Sequence, residues 1–400
     1  MEYLIPEEWF RGVQWPILAS IAVAAFYVLV KGADVLVDGA AGLARRIGVT
    51  ETVIGATVVS LGTTTPECAV SVMAAWTGNA GLALGNAVGS VIADSGLIFG
   101  VGCLLTQLPA DRFLLSRQGW VQFGSALLLA AVCYAQYARL GDAATLSRPI
   151  GLLFLGLLAV YMLASVRWGR QHHALHAAEP DRPDEVTGSP PSVSTPPVDT
   201  AVHAQAGHES GSTPAVAGKT TAAGEATADV VERSELPAPE RHSVWTLLGM
   251  VFGGLILVVV SSHVLIQSIS EIARQFQIPQ VVISGSIVAF GTSLPELIVG
   301  VVSIRRGHAE LLVGNVIGAD ILNVLFVIGA SAAAAPLPII DPQAEPPHVF
   351  LLLHLPVMLV ILGLFRLFIA VSARRTRFSR WMGVPLVLTY LAFVMLSYAR

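Results

Sequence analysis

Ten apolar runs of about twenty residues dominate the sequence and limit what it can fold into. A bilayer core about 30 Å thick is crossed by about 20 residues of helix, each adding about 1.5 Å. The sequence therefore predicts an all-α integral membrane protein with ten transmembrane helices. The runs lie near residues 16–38, 52–77, 80–107, 119–138, 149–168, 244–270, 280–304, 309–335, 348–371 and 381–399. Because the second, third, seventh and eighth runs carry more glycine and polar residues than a lipid-facing helix tolerates, we expect them inside the bundle.

The overall composition supports this class and excludes others. Of the 400 residues 54% are hydrophobic and 12% are charged, whereas roughly a quarter of an average soluble protein is charged. A net charge of -4 offers no basic surface for nucleic acid, and the chain does not resemble a soluble enzyme. Cys68, Cys103 and Cys133 lie inside apolar runs, which predicts buried thiols rather than a disulfide framework or a zinc site.

Arginines in the short loops predict the orientation. With the amino terminus outside, twelve of them face the inner side and five the outer side, so both termini are expected outside. The start, MEYLIPEEWFRG, lacks a basic region, so the first run is expected to remain as an anchor, in a bacterial inner membrane. Residues 171–242 are rich in Pro, Ser, Ala and Thr and hold six of the ten histidines. They are predicted to form a disordered cytoplasmic loop without a metal geometry.

The chain also contains an internal repeat. LGTTTPE aligns with FGTSLPE, and LALGNAVGSVIAD with LLVGNVIGADILN, at one offset of 229, as 291 minus 62 shows for Gly62 and Gly291. The copies lie in residues 55–100 and 284–329. Each half, 1–170 and 243–400, has five spans, an odd number, so the second copy enters the membrane upside down. Inverted repeats of this kind create midplane sites in secondary transporters.

The repeated motif indicates a cation site. Its proline removes a helix donor and its glycine permits unwinding, so carbonyls near Ser60 and Ala289 are expected to be free to accept a cation. Hydroxyl groups and two carboxylates accompany them, which together form the all-oxygen set that Na⁺ and Ca²⁺ prefer. These side chains are Thr63, Thr64, Thr292, Ser293, Glu67 and Glu296.

Neighbouring helices add further oxygens. Helical spacing places Asn86, Ser90 and Asp94 on one face of the third span, and Asn315 and Asn323 on one face of the eighth, with Asp320 one turn before Asn323. One carboxylate at mid-membrane costs roughly 3 kcal/mol, so four unpaired ones would cost on the order of 10 kcal/mol. The spans offer no matching bases. A bound cation, or protonation of some of the acids, is therefore expected.

The motifs GTTTPE with GNAVGSVIAD, and GTSLPE with GNVIGADILN, resemble the two alpha-repeats of the sodium/calcium exchanger family. The resemblance implies a transporter without a cofactor, which works by alternating access and drives Ca²⁺ outward with inward Na⁺. It also implies a sliding pair of long helices, spans one and six. By motif position Glu67 and Glu296 would be the central ligands. Their sites would be completed by Thr63, Thr64, Thr292, Ser293, Ser90, Asp94 and Asn323.

Two departures from the family pattern leave the coupling ion open. Family members commonly read Gly-Ser-Asn in both later motifs, but here Val91 replaces one Asn, and Ala319 and Asp320 replace the other Ser-Asn. A hydroxyl is lost and a carboxylate gained, which suits a Ca²⁺/H⁺ antiporter or K⁺-dependent exchange on the same fold. Two other classes are a passive channel and a membrane sensor acting through the 171–242 loop. The sequence argues against the channel, because acids at one midplane site bind ions too tightly for fast conduction. Ions and lipid are the expected partners, and the sequence does not predict the stoichiometry or the oligomeric state.

Overall fold

The computed structural model describes residues 9–177, 243–276, 293–340, 347–372 and 376–398. These residues form ten helices joined by short turns, with one two-stranded sheet. The helices are α1 (Trp15–Ile47), α2 (Glu51–Trp76), α3 (Ala80–Leu105), α4 (Arg112–Leu140), α5 (Arg148–Ala177), α6 (Val244–Gln275), α7 (Leu294–Arg305), α8 (Ala309–Ala334), α9 (Phe350–Ser372) and α10 (Gly383–Tyr398). Strands β1 (Thr145–Leu146) and β2 (Leu337–Pro338) pair antiparallel between the two halves.

Nine helices among the described residues are long and apolar enough to cross a membrane, all except α7. The predicted all-α membrane fold is therefore confirmed. The first part of the predicted seventh span, 280–292, lies outside the described residues. The three cysteines are free and buried, as predicted.

Three of the four spans predicted to lie inside the bundle do so. In their most apolar windows 61% of α2, 67% of α3 and 94% of α8 is buried, against 17–44% in the other six membrane helices. The helices that carry the duplicated motifs thus form the centre of the bundle, and the more apolar helices surround them.

Helix boundaries repeat at the same offset as the motifs. Trp15 and Val244 begin α1 and α6, and Ala80 and Ala309 begin α3 and α8; 244 minus 15 and 309 minus 80 are both 229. The turns that precede α3 and α8 each contain a left-handed glycine, Gly78 and Gly307, both at φ 80°. A side chain is strained at that φ, so glycine fixes the same tight hairpin in both halves.

The two longest helices, α1 and α6, approach each other closely at glycine positions. A Cβ added at Gly254 of α6 would lie 2.6 Å from the backbone nitrogen of Leu36 and 2.9 Å from the carbonyl oxygen of Gly32. One at Gly39 of α1 would lie 2.8 Å from the Cβ of Met250. Glycine therefore permits a backbone-to-backbone crossing of these helices.

Two local predictions are wrong. Residues 171–177, expected to begin a disordered loop, are the last two turns of α5, and only 178–242 lie outside the described residues. The local unwinding expected around Gly62 and Pro66 is absent, since α2 remains helical from Ser60 to Trp76. The irregularity lies just before, in a π-helical turn at Gly55–Val59.

Candidate cation site

Four buried carboxylates lie where α2, α3, α7 and α8 meet. Glu67, Asp94 and Glu296 are 0% exposed and Asp320 is 1% exposed. The charge of Glu67 interacts with those of Glu296 and Asp94, and the charge of Asp94 with that of Asp320. The fold thus brings together the four acids that the sequence predicted at mid-membrane.

These acids have no basic partner. Among the described residues no Lys, Arg or His nitrogen lies within 4.0 Å of any of them. Both carboxylate oxygens of Glu67, Asp94 and Glu296 are buried, and none has a hydrogen-bond partner of good geometry in that part of the chain, although the Thr63 hydroxyl lies close to Glu296. An uncompensated buried carboxylate is strongly destabilising, so the site requires positive charge from a cation or a proton.

Neutral oxygens beside the acids are also left without partners. Thr64 Oγ1, Ser293 Oγ and Asn323 Oδ1 are buried and form no hydrogen bond with described residues. Ser90 is buried as well, at 4% exposure. Within the described ranges no three His, Cys, Asp or Glu side chains are close enough to hold a metal alone. Hydroxyl and amide oxygens would therefore have to contribute to any cation site here.

The backbone around Ser60 differs from the prediction. Its carbonyl oxygen is not free, because it accepts a hydrogen bond from Thr63 Oγ1 at 3.3 Å. Pro66 has no N–H, so the carbonyl that lacks a helical partner is that of Gly62, four residues earlier. Ala289 and Thr292, the equivalent predictions in the second repeat, lie outside the described residues.

Two π-helical turns shape the site. They cover Asp94–Ile98 in α3 and Asn323–Ile328 in α8, and each begins at a predicted site residue. A π turn inserts an extra residue into the helix, and such turns occur frequently at functional sites. The turn changes the direction of the side chains that follow it, which the motif spacing alone does not show.

Asn86 and its repeat counterpart Asn315 have different surroundings. Asn86 Nδ2 donates to Ser71 Oγ at 3.0 Å and to the backbone oxygen of Glu67 at 3.4 Å, so Asn86 holds α3 against α2. Asn315, its repeat counterpart, is 0% exposed and its side chain has no hydrogen-bond partner among the described residues.

Sequence reasoning missed Ser95 and Gln122. Both donate hydrogen bonds to Asp320 Oδ2, Ser95 through its hydroxyl and Gln122 through Nε2 at 2.5 Å. Gln122 lies in α4, outside both motifs. The signal that could have found it is the polar spacing of Gln118, Gln122 and Ser125, at four and seven residues along an apolar helix, which marks one buried polar face.

Inverted halves and a buried acidic site between them define a membrane transporter of the inverted-repeat class. The family model for the sodium/calcium exchanger protein matches residues 17–167 and 246–399, which is more than half of the chain. The protein belongs to the sodium/calcium exchanger family, and it is a transporter rather than an enzyme.

Relatives of similar length support this membership. The chain is 28% identical to the sodium/calcium exchanger MaX1 of Methanosarcina acetivorans, over 94% of this chain and 97% of that protein. It is also 28% identical to a protein of Alkalimonas amylolytica that carries the antiporter name CaxA, over 96% of this chain and 99% of that one. The solved structure of the exchanger NCX_Mj, soaked with Na⁺ and Ca²⁺, superposes with a TM-score of 0.67 at 23% identity, covering 96% and 99% of the two chains. That likeness establishes the fold.

Proposed function

We propose that this protein is a secondary active antiporter that exchanges Na⁺ for Ca²⁺ by alternating access. The observation that carries the proposal is the group of four buried carboxylates without a basic partner among the described residues, at the junction of two inverted repeats. Because acids at one midplane site bind cations too tightly for fast conduction, the arrangement favours an exchanger over a passive channel.

Each site residue then has a role. Glu67 and Glu296 are the central ligands shared by the two ions, and Asp94 and Asn323 extend the site along α3 and α8. Hydroxyl ligands from both repeats complete it. They are Thr63, Thr64 and Ser90 in the first repeat and Thr292 and Ser293 in the second. The backbone oxygen of Gly62, rather than that of Ser60, contributes in the first repeat, and one near Ala289 in the second.

The membrane and the orientation are part of the proposal. A relative of Escherichia coli that is 28% identical over 81% of this chain is named the inner membrane protein YrbG. Together with the distribution of loop arginines, this supports a bacterial inner membrane, termini outside and the central loop in the cytoplasm. Here the face of the bundle at which α5 ends and α6 begins is called the loop face.

One observation favours a second candidate, exchange of Ca²⁺ for protons or K⁺-dependent exchange. Asp320 adds a fourth buried acid, where the repeat-related position holds Val91. An additional carboxylate raises the positive charge that the site must bind in at least one of its states. The added charge suits a proton or a K⁺ ion alongside Ca²⁺.

Ca²⁺ efflux from proteoliposomes separates these candidates. Efflux is measured first under an imposed Na⁺ gradient and then under a pH gradient, for the wild type and for Glu67→Gln and Glu296→Gln. We expect flux that requires Na⁺ and falls at least about tenfold in both variants, since each loses a charged ligand. Glu271→Gln is the matched control, because Glu271 lies in α6 and pairs with Arg274 at 3.4 Å. Flux that follows only the pH gradient would reject Na⁺ coupling.

A further inference from the structure

Gln122 is buried in the interior of α4, outside both duplicated motifs, and is 3% exposed. Its Nε2 donates to Asp320 Oδ2 at 2.5 Å and to Ser95 Oγ at 3.3 Å. The hydroxyl of Ser95 donates in turn to the same Asp320 oxygen. One amide of α4 therefore joins the π turn of α3 to the carboxylate of α8.

Both donors to Asp320 are neutral. They orient the carboxylate and satisfy Oδ2, but they leave its negative charge uncompensated. An arginine or lysine in the same place would neutralise that charge. The other oxygen, Asp320 Oδ1, is buried and has no hydrogen-bond partner among the described residues. The carboxylate thus has one oxygen held by protein donors and one available to a cation.

The arrangement exists in one repeat only. By the offset of 229, the counterparts of Ser95 and Asp320 are Val324 and Val91. Both valines are buried, at 1% and 0% exposure. The polar pair Ser95 and Asp320 is therefore replaced by two valines at the repeat-related positions. The packing of the fold does not by itself require a polar pair here.

We infer that Gln122 is a positioning residue of the cation site: it fixes the Asp320 carboxylate through Oδ2, so that Oδ1 serves as a ligand for a bound cation. The inference rests on the proposed function in that it needs a cation to bind at this site, but it does not depend on which gradient drives transport. Gln122 thereby determines how strongly the fourth acid contributes to the apparent affinity for Na⁺ and Ca²⁺.

Direct binding tests this role. Equilibrium binding of Ca²⁺, with Na⁺ as competitor, is measured on the purified full chain in detergent. Gln122→Met keeps the side-chain volume and removes the donors, and Asp320→Asn removes the charge. We expect each to raise the half-saturating Ca²⁺ concentration by about tenfold, the usual size for a residue that orients a metal ligand. The double variant should bind as weakly as Asp320→Asn alone, because Gln122 acts through Asp320.

Gln118→Met is the matched control. Gln118 is buried one turn earlier in α4 and donates to Ser165 Oγ at 3.2 Å, away from the acids, so its loss should lower thermal stability without changing cation binding. If Gln122→Met does not fold, Gln122→Asn withdraws the amide by one methylene and should still weaken binding.

Two results would overturn the assignment. One is unchanged Ca²⁺ binding in both Gln122 variants. The other is that Gln122→Met raises the half-saturating Ca²⁺ concentration by the same factor in the wild-type chain and in the Asp320→Asn chain. A wild-type chain that binds cations but does not exchange them would reject the proposed function and leave the role of Gln122 intact. A wild-type chain that binds no cation would reject both.

Discussion

At the scale of single residues, the two repeats differ where the family pattern is broken. Ser90 of α3 and Ala319 of α8 are related by the offset of 229, and both are buried. The first repeat therefore offers a hydroxyl where the second offers a methyl group. Since hard cations take oxygen ligands, this asymmetry weakens the site on the side of α8.

Exchanging these side chains should move cation affinity in opposite directions. Ser90→Ala removes a ligand and is expected to raise the half-saturating Na⁺ concentration of exchange by about tenfold, as one lost interaction of about 1.4 kcal/mol does. Ala319→Ser restores the missing hydroxyl and should lower that concentration. Exchange rates over a Na⁺ titration in proteoliposomes measure both.

Ser303→Ala provides the reference for that comparison. The Ser303 hydroxyl is buried in α7 but donates to the carbonyl of its own helix at Val299, at 2.7 Å. Its loss should leave the Na⁺ dependence unchanged. Identical Na⁺ titrations for Ser90→Ala and the wild type would remove Ser90 from the ligand set.

The sequence was informative about these residues to different degrees. Glu67, Asp94, Glu296 and Asp320 could be identified because an acid in an apolar run is costly without a function. Gln122 could not be paired with Asp320, because helical spacing shows which residues share a face but not which helix that face meets. The roles of Thr292 and Ala289 remain predictions.

At the scale of helices, the crossing of α1 and α6 is sensitive to the addition of a single methyl group. Gly254→Ala would place a Cβ 2.6 Å from the nitrogen of Leu36, a backbone atom that cannot move without shifting α1. Overpacking of this kind costs about 1–3 kcal/mol. We expect a lower melting temperature and slower exchange.

The same helix supplies the control for this prediction. A Cβ at Gly249 would meet nothing within 4 Å, so Gly249→Ala should keep or slightly raise the melting temperature. Thermal unfolding of both variants in one detergent measures the difference. Equal melting temperatures would show that the crossing tolerates separation.

Helix existence was predictable here and helix irregularity was not. Apolar run length predicted ten membrane helices, because the bilayer thickness fixes the length of a run. Nine of them are found among the described residues, and most of their ends fall within a few residues of the prediction. The proline motif predicted local unwinding with free carbonyls near Ser60, but the structure has a π turn at Gly55–Val59 instead. Around that turn α2 packs against α8, where a Cβ at Gly314 would lie 2.2 Å from the Thr52 carbonyl. Such long-range packing is invisible to a local pattern.

At the scale of the whole molecule, the ion pairs of Arg306 are not repeated at the positions related to them by the offset of 229. Arg306, just after α7, contacts Asp34 at 3.0 Å and Asp38 at 3.1 Å in α1. The repeat-related residues are Thr77, His263 and Gln267; Thr77 and Gln267 carry no charge, so the same three-residue charge arrangement cannot form there. The pairs therefore favour the conformation in which α1 is held against α7 on the loop face.

Removing the ion pairs of Arg306 should shift the protein towards the conformation that is open on the loop face. The reporter is Thr52→Cys, in a chain with the native cysteines replaced, because Thr52 is buried where α2 packs against α8. Arg306→Gln is expected to speed thiol labelling of this cysteine by about two- to fivefold, because exposed ion pairs contribute at most about 1 kcal/mol. Arg305→Gln is the control, since Arg305 forms no ion pair within the described ranges. Equal labelling rates in the two variants would show that the pairs do not bias the conformation.

The backbone contacts between α1 and α6 have a consequence for leakage. Separating helices that touch through Gly32, Gly39 and Gly254 would leave an unfilled gap between their backbones, so under the proposed alternating access we expect α1 and α6 to move together as one rigid body. A single rigid body between the two faces has one position at a time, and motion that opens a path on one face closes it on the other. The close contact of α1 and α6 would then prevent both faces from opening together, and so protect the ion gradients on which the cell depends.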